Sequence, residues 1–149
     1  MYVLDKQLQQ DTRMLGQFSL CDVLLMNDSQ YSWVILVPRR ANIREVYHLS
    51  QEEQHLLSNE SAYVSQRLAD FFEADSMNVA ALGNVVSQLH VHHVVRHIGD
   101  VTWPKPVWGA VPAKPYSSEQ LTKLAEDLGR LFSDKLESLS PSSDGSELY

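Results

Sequence analysis

Four of the six histidines, His90, His92, His93 and His97, fall within eight residues, and that cluster is where chemistry is to be sought. If Ser87 to Arg96 is extended, a period of two puts Gln88, His90, His92, Val94 and Arg96 on one face. Leu89, Val91, His93 and Val95 take the other. One face then presents an amide, two imidazoles and a guanidinium in a row spaced about 6 to 7 Å apart, and the opposite face is mostly core-forming. Three readings compete. In the first, these are ordinary, partly exposed strand residues with hydrogen-bonded rings. In the second, alternate imidazoles turn toward one Zn²⁺ or Fe²⁺, but a third ligand is needed, and Arg96 and His97 occupy the region where a carboxylate is wanted. The third is phosphate chemistry, in which a neutral imidazole attacks phosphorus while Gln88, His92 and Arg96 hold the oxygens.

The elements that must position this strand can be read on either side of it. Leu4, Leu8 and Leu15 recur at roughly helical spacing before Gly16, which predicts a short helix. Phe18 to Met26 and Trp33 to Val37 read as strands joined by the polar turn Asn27-Asp28-Ser29. Ser50 and Glu53 have the spacing of a capping box, so a helix begins at Gln51. Its stripe of Leu57, Val64, Leu68 and Phe71 carries it to about Ala74. Asn78 to Leu82 reads as another strand, Gly83-Asn84 as a turn, and Leu89 to Val95 as the histidine strand. Four of the six prolines fall between Trp103 and Tyr116, which predicts an ordered loop without regular helix. Ser117 and Gln120 form a second capping box, with Leu121, Leu124, Leu128 and Phe132 following a helical period to about Leu136. Residues 1–137 are expected to form one domain, and 138–149, polar and turn-prone, a disordered tail.

The composition narrows the class. A chain of 149 residues with 44% hydrophobic and 21% charged residues is large enough for a core without staples. Cys21 is the sole cysteine, so no internal disulfide or thiolate zinc cluster is available, and a cytoplasmic address is expected. The N-terminal stretch lacks the long apolar run of a secretory signal or membrane span. A net charge of −7 has the wrong sign for nonspecific nucleic-acid binding, so any phosphate must be held locally. Cys21 and Met14 are read as core residues, His48 as a helix-start residue and His55 as a surface residue.

The segment Gln88-Leu89-His90-Val91-His92-His93-Val94-Val95 resembles the histidine triad (HIT) motif of nucleotide hydrolases and transferases, His-φ-His-φ-His-φ-φ with φ apolar. The resemblance extends upstream through Leu24-Leu25-Met26-Asn27-Asp28, Val34-Ile35-Leu36-Val37-Pro38-Arg39, His48-Leu49-Ser50 and Gly83-Asn84-Val85, covering about residues 18 to 100 in order. It implies an α+β fold with a HIT-like antiparallel sheet, a long helix packed on it, a C-terminal helix, and a homodimer. It further implies that His90, the middle position, is the nucleophile that forms a nucleotidyl-histidine, and that His92 contacts the phosphate and assists the leaving group.

Two family histidines are replaced. Gln88 takes the first triad position as a hydrogen-bonding catalytic residue. Trp33 stands where another histidine precedes the Val-Ile-Leu-Val-Pro strand, which leaves fewer donors. His93 is a back-face residue outside the triad. Asn84 is matched to a phosphate-binding position and Asn27 or Asp28 to a ribose-binding one, turn formation being the plainer role. Arg96 is a further substrate-binding candidate.

The implied substrate is a small nucleotide conjugate, of the dinucleoside polyphosphate or nucleoside phosphoramidate type, cleaved at the α-phosphate. No cofactor is required, although a divalent metal can accompany the substrate's phosphates. The alternative is a nucleotide-binding or regulatory protein with little turnover. The loop Gly99 to Gly109 is read mainly as a packed surface loop, with closure of one side of the pocket or contact with a second subunit as its other roles.

Overall fold

The computed structural model describes residues 1–137, and the tail expected at 138–149 lies outside the described residues. Along the chain run α1 (Lys6–Asp11), β1 (Thr12–Gln17), β2 (Cys21–Met26), β3 (Trp33–Pro38), α2 (Gln51–Phe72), β4 (Ser76–Ala81), β5 (Val91–Arg96) and α3 (Ser118–Leu131). The five strands form one antiparallel sheet in the order β1-β2-β3-β5-β4, so the fold is α+β as expected. No helix among the described residues is long and apolar enough to cross a membrane.

Both capping boxes form. Ser50 accepts from the Glu53 amide while Glu53 accepts from that of Ser50, and Ser117 and Gln120 repeat the exchange. Each satisfies amides that the first helical turn leaves without partners. Helix α2 lays Leu57, Val64 and Leu68 against Val34, Leu36, Val91 and Val95 on one face of the sheet, where α3 adds Leu128 and Phe132. The other face carries Leu24, Trp33, Ile35, Val37 and Val94, covered by Leu8 of α1 and by Val107 and Trp108 of the proline-rich loop.

The N-terminal helix is shorter than its leucine spacing suggests. Asp5 caps it by accepting from Gln7 N, and it stops at Thr12, where the backbone turns extended. Residues from Thr12 onward pair with β2, from Thr12 opposite Met26 to Gln17 opposite Asp22. Sheet pairing therefore overrides a helical period that only Leu4 and Leu8 serve. Gly16 is not a helix stop but part of an irregular stretch of β1, with a φ of 151° and Leu136 packed where a Cβ would point. Phe18, Ser19 and Leu20 lie in the connection before β2, and Met14, expected in the core, is exposed. Strand β4 begins two residues earlier than expected, at Ser76, and the histidine strand begins at Val91, so Gln88 and His90 approach it as irregular chain.

Candidate active site

The face assignment of the histidine segment holds across this irregularity. His92 lies opposite Ile35, and Val94 opposite Trp33, on the face away from α2. His93 points to the other side, where its Nδ1 bonds the Val34 carbonyl at 3.1 Å and its Nε2 meets Ser61 Oγ of α2 at 2.7 Å. A carbonyl can only accept, so Nδ1 carries the proton and Nε2 takes the Ser61 hydroxyl proton in a hydrogen bond. Burial pushes His93 down to about 4, partly opposed by its backbone hydrogen bonds. This imidazole fastens α2 to the sheet and stands apart from the other two.

His90 and His92 are both buried, their rings edge to face with centroids 4.8 Å apart. His90 Nδ1 lies 2.7 Å from the Gln88 carbonyl oxygen. That oxygen requires a donor, so the His90 proton sits on Nδ1 and Nε2 keeps its lone pair. His92 is wired the opposite way. The Trp33 indole donates from Nε1 to His92 Nδ1 at 3.0 Å. An indole nitrogen has no acceptor capacity, so Nδ1 is the bare nitrogen of His92 and Nε2 carries the proton. A proton added to His92 would have to enter against the indole N–H. Burial first, then the nearby His90 and His93, pushes His92 down to about 3.

Two cavities meet at His90. One, of about 300 Å³, is largely apolar and reaches His92, Ile35, Met26, Leu8, Val86 and Trp108. The other, of about 200 Å³, is polar and includes Arg44, Glu45, Gln88 and Asn84. Leu82, Asn84 and His90 border both. The junction offers an unprotonated nitrogen on His90, an N–H donor on His92, and room of different polarity on either side. Trp108 stacks edge-on against His92 and Trp33, with centroids 5.5 and 6.3 Å away. The packing reading of that segment holds, since Val107 and Trp108 pack on the sheet face, and closure of one side of the cleft joins it at Trp108. Nothing periodic in a proline-rich stretch marks that position.

Several expected site residues have other work. The Gln88 side chain accepts from Asp5 N and donates to the Val3 carbonyl, so it acts on His90 through its backbone carbonyl rather than through its amide. Arg96 is 1% exposed and paired with Asp100 through two hydrogen bonds, with Asn78 and Thr102 as further partners. It borders neither cavity at His90, because the strand twists its end toward the Gly99–Trp103 turn and Asp100 captures the fork. Asp28 is buried and accepts from Gln30 and the Lys114 amide, while Asn27 Oδ1 accepts from Tyr116 N. Both fasten the incoming C-terminal connection to the β2–β3 turn and border neither cavity. Asn84, by contrast, stands where the cavities join. Trp33 does not impoverish the pocket, since its indole supplies the donor that orders His92. Among the described residues, no three His, Cys, Asp or Glu side chains are grouped to hold a metal ion.

The HIT domain family profile matches residues 7–99. A histidine triad protein from Marinobacter aquaeolei VT8 is 50% identical, with a TM-score of 0.88 over 91% of this chain and 98% of that one. One from Sinorhizobium meliloti 1021 is 39% identical, with a TM-score of 0.84 over the same shares. The diadenosine triphosphate hydrolase of Plasmodium falciparum, 17% identical, shares the fold with a TM-score of 0.59 over 92% of this chain and 84% of that one. No curated protein sequence matches the chain. With the profile spanning the sheet, the long helix and the histidine segment, and with two close structural relatives of the same kind, this chain belongs to the HIT domain family.

Proposed function

We propose that the protein is a nucleotidyl hydrolase acting at the α-phosphate of a nucleotide conjugate, with His90 as nucleophile. The observation that carries this reading is the His90 Nδ1 bond to the Gln88 carbonyl, which leaves Nε2 unprotonated in a residue bordering both cavities. In the first step Nε2 forms a bond to phosphorus while the bond from phosphorus to the leaving group breaks, and the leaving group departs with the electron pair. The positive charge left on the phosphorylated imidazole is met at Nδ1–H by the Gln88 carbonyl. In the second step the oxygen of a water molecule bonds to phosphorus, the P–N bond breaks with its electron pair returning to Nε2, the water gives up a proton to solvent, and a nucleoside monophosphate is released.

His92 has a defined part in both steps. Its Nε2–H donates a hydrogen bond to a phosphate oxygen as charge shifts there. It keeps that proton, because Nδ1 already takes the indole hydrogen and losing Nε2–H would leave an imidazolate. A phosphate leaving group needs no proton to depart, whereas an amine does. Dinucleoside polyphosphates therefore suit this site better than phosphoramidates.

The test is intact-protein mass spectrometry after rapid, acid-free quenching with a panel of dinucleoside polyphosphates and nucleoside phosphoramidates of adenine and guanine, together with monophosphate release. A nucleotidyl adduct mapping to His90, with release abolished in His90→Gln, supports the reading. Binding without adduct or release across the panel overturns it in favour of a nucleotide-binding protein.

A further inference from the structure

The apolar cleft has a polar end that the phosphate chemistry does not use. Starting at His92 on β5, it crosses Ile35 on β3 and Met26 on β2. His92 faces Ile35 and Ile35 faces Leu24, two residues before Met26 on the same side, so the floor spans two interstrand steps, about 10 Å. At the far end stands α1. The Asp11 carbonyl accepts from Asn27 N at 2.9 Å, which places the end of the helix beside the end of β2, and Gln7, Leu8 and Asp11 all border the cleft.

The two polar side chains there are joined. Gln7 Nε2 donates to Asp11 Oδ2 at 2.9 Å, while Asp11 Oδ1 has no hydrogen-bond partner among the described residues. Donation to a carboxylate fixes which end of the Gln7 amide faces Asp11, and the ionised carboxylate itself can only accept. This cleft end, walled by Leu8 and Met26, therefore offers acceptors for two adjacent donors. A nucleotide with its α-phosphorus at His90 and its ribose above Ile35 carries its base to this end.

We propose that Asp11, held by Gln7, reads the base of the bound nucleotide, and that the base it selects is guanine. Guanine offers N1–H and the N2 amino group side by side, and a carboxylate accepts both in a charge-assisted pair. Adenine presents one amino group next to the bare N1, which repels the second carboxylate oxygen. Hypoxanthine keeps N1–H but lacks the amino group. Asp11 is half-buried and Gln7 exposed, so an analogue that leaves the acceptor unpaired is disfavoured by less than it is in an enclosed site. This inference rests on the reading that a nucleotide occupies the cleft, and it does not require turnover.

The experiment is calorimetric titration of the full chain with GMP, IMP and AMP, repeated with Asp11→Ala and Asp11→Asn, with thermal melts confirming that both variants fold. GMP is expected to bind about tenfold more tightly than IMP or AMP, and Asp11→Ala to bring the three within about twofold. Asp11→Asn keeps one acceptor and removes the charge, so part of the preference is retained. IMP or AMP binding as tightly as GMP overturns the inference, as does a GMP preference that survives in Asp11→Ala or no binding of any of the three. The adduct experiment stands apart from these outcomes: equal binding of the three monophosphates alongside a His90 adduct removes the base assignment and leaves the chemistry.

Discussion

His90 and His92, two residues apart with ring centroids separated by 4.8 Å, hold opposite tautomers: His90 is protonated at Nδ1 and His92 at Nε2. Each proton is placed by a partner of fixed polarity, a carbonyl that can only accept and an indole that can only donate. The same residue type thereby presents a bare nitrogen at one position and an N–H donor at the other, with no difference in covalent chemistry.

Removing the indole donor while keeping an aromatic ring separates these roles. Trp33→Phe is expected to fold, because Trp33 packs among Tyr31, His92 and Trp108 and phenylalanine retains much of that contact. His92 then has no partner holding its proton on Nε2, and turnover is expected to fall about ten- to a hundredfold, chiefly in kcat. Nitrogen-15 shifts of the His92 ring provide a readout independent of activity. They are expected to report Nε2–H in the wild type and a tautomer mixture in the variant. An unchanged His92 spectrum would sink the assignment.

Acid should destabilise the fold through its buried imidazoles. His92 and His93 titrate near 3 and 4 in the folded protein, below the ordinary value of 6.5, so the unfolded chain binds more protons between those limits. Their contribution to stability is complete above about pH 7, falls as pH drops through 6.5, and levels off below the folded values. Each adds up to roughly 1.4 kcal/mol per pH unit within that window. Urea melts between pH 7.5 and 5 are expected to show the slope, and His93→Gln to reduce it. A flat profile would mean that these rings are not held neutral.

Arg96 serves the fold, and its loss should register as stability. Its guanidinium is enclosed and bound to Asp100, Asn78 and Thr102. Removing one member of a buried pair strands the other, so Arg96→Gln is expected to cost about 3 kcal/mol in chemical denaturation. At temperatures where the variant remains folded, nucleotide affinity should stay within about threefold of the wild type. A collapse of affinity in a fully folded variant would return Arg96 to the phosphate.

Trp108 borders the cleft as an apolar wall and supplies neither His90 nor His92 with a hydrogen bond, so under the proposed chemistry its removal should act on binding. Trp108→Ala is expected to raise KM about tenfold or more, through loss of an apolar wall, with a smaller effect on kcat. Steady-state kinetics with one dinucleoside polyphosphate resolves the two. A drop in kcat at constant KM would instead indicate that Trp108 orders His92.

The parts of this arrangement written locally in the chain are legible without a structure. Ser50 with Glu53 and Ser117 with Gln120 announce the two helices because capping is a matter of three-residue spacing. The two faces of the histidine segment follow from the period of an extended chain. Gln88, Asp28 and Arg96 show where such reading stops. All three are polar residues at plausible site positions, and each is satisfied by a partner distant in sequence or set by a turn: Val3 and Asp5, Lys114, and Asp100. Trp33 misleads for the same reason. A histidine lost from a motif looks like a donor lost, until the fold brings the indole to His92. Leu8 and Asp11 carry no motif at all, and reach the cleft because β1 pairs with β2 and leaves the short helix before it beside Met26.

By accepting from Asp5 N and donating to the Val3 carbonyl, the Gln88 side chain ties the first residues of the chain to the peptide whose carbonyl bonds His90 Nδ1. The arm that reaches α1 is buckled to the peptide that holds His90, so anything that tugs on residues 3–5 also tugs on that ring. An affinity handle fused ahead of this arm therefore pulls on the peptide that holds the His90 ring. The same buckle makes the arm a place to engineer the protein: exchanging it with that of a relative alters the hold on His90 with every histidine left untouched.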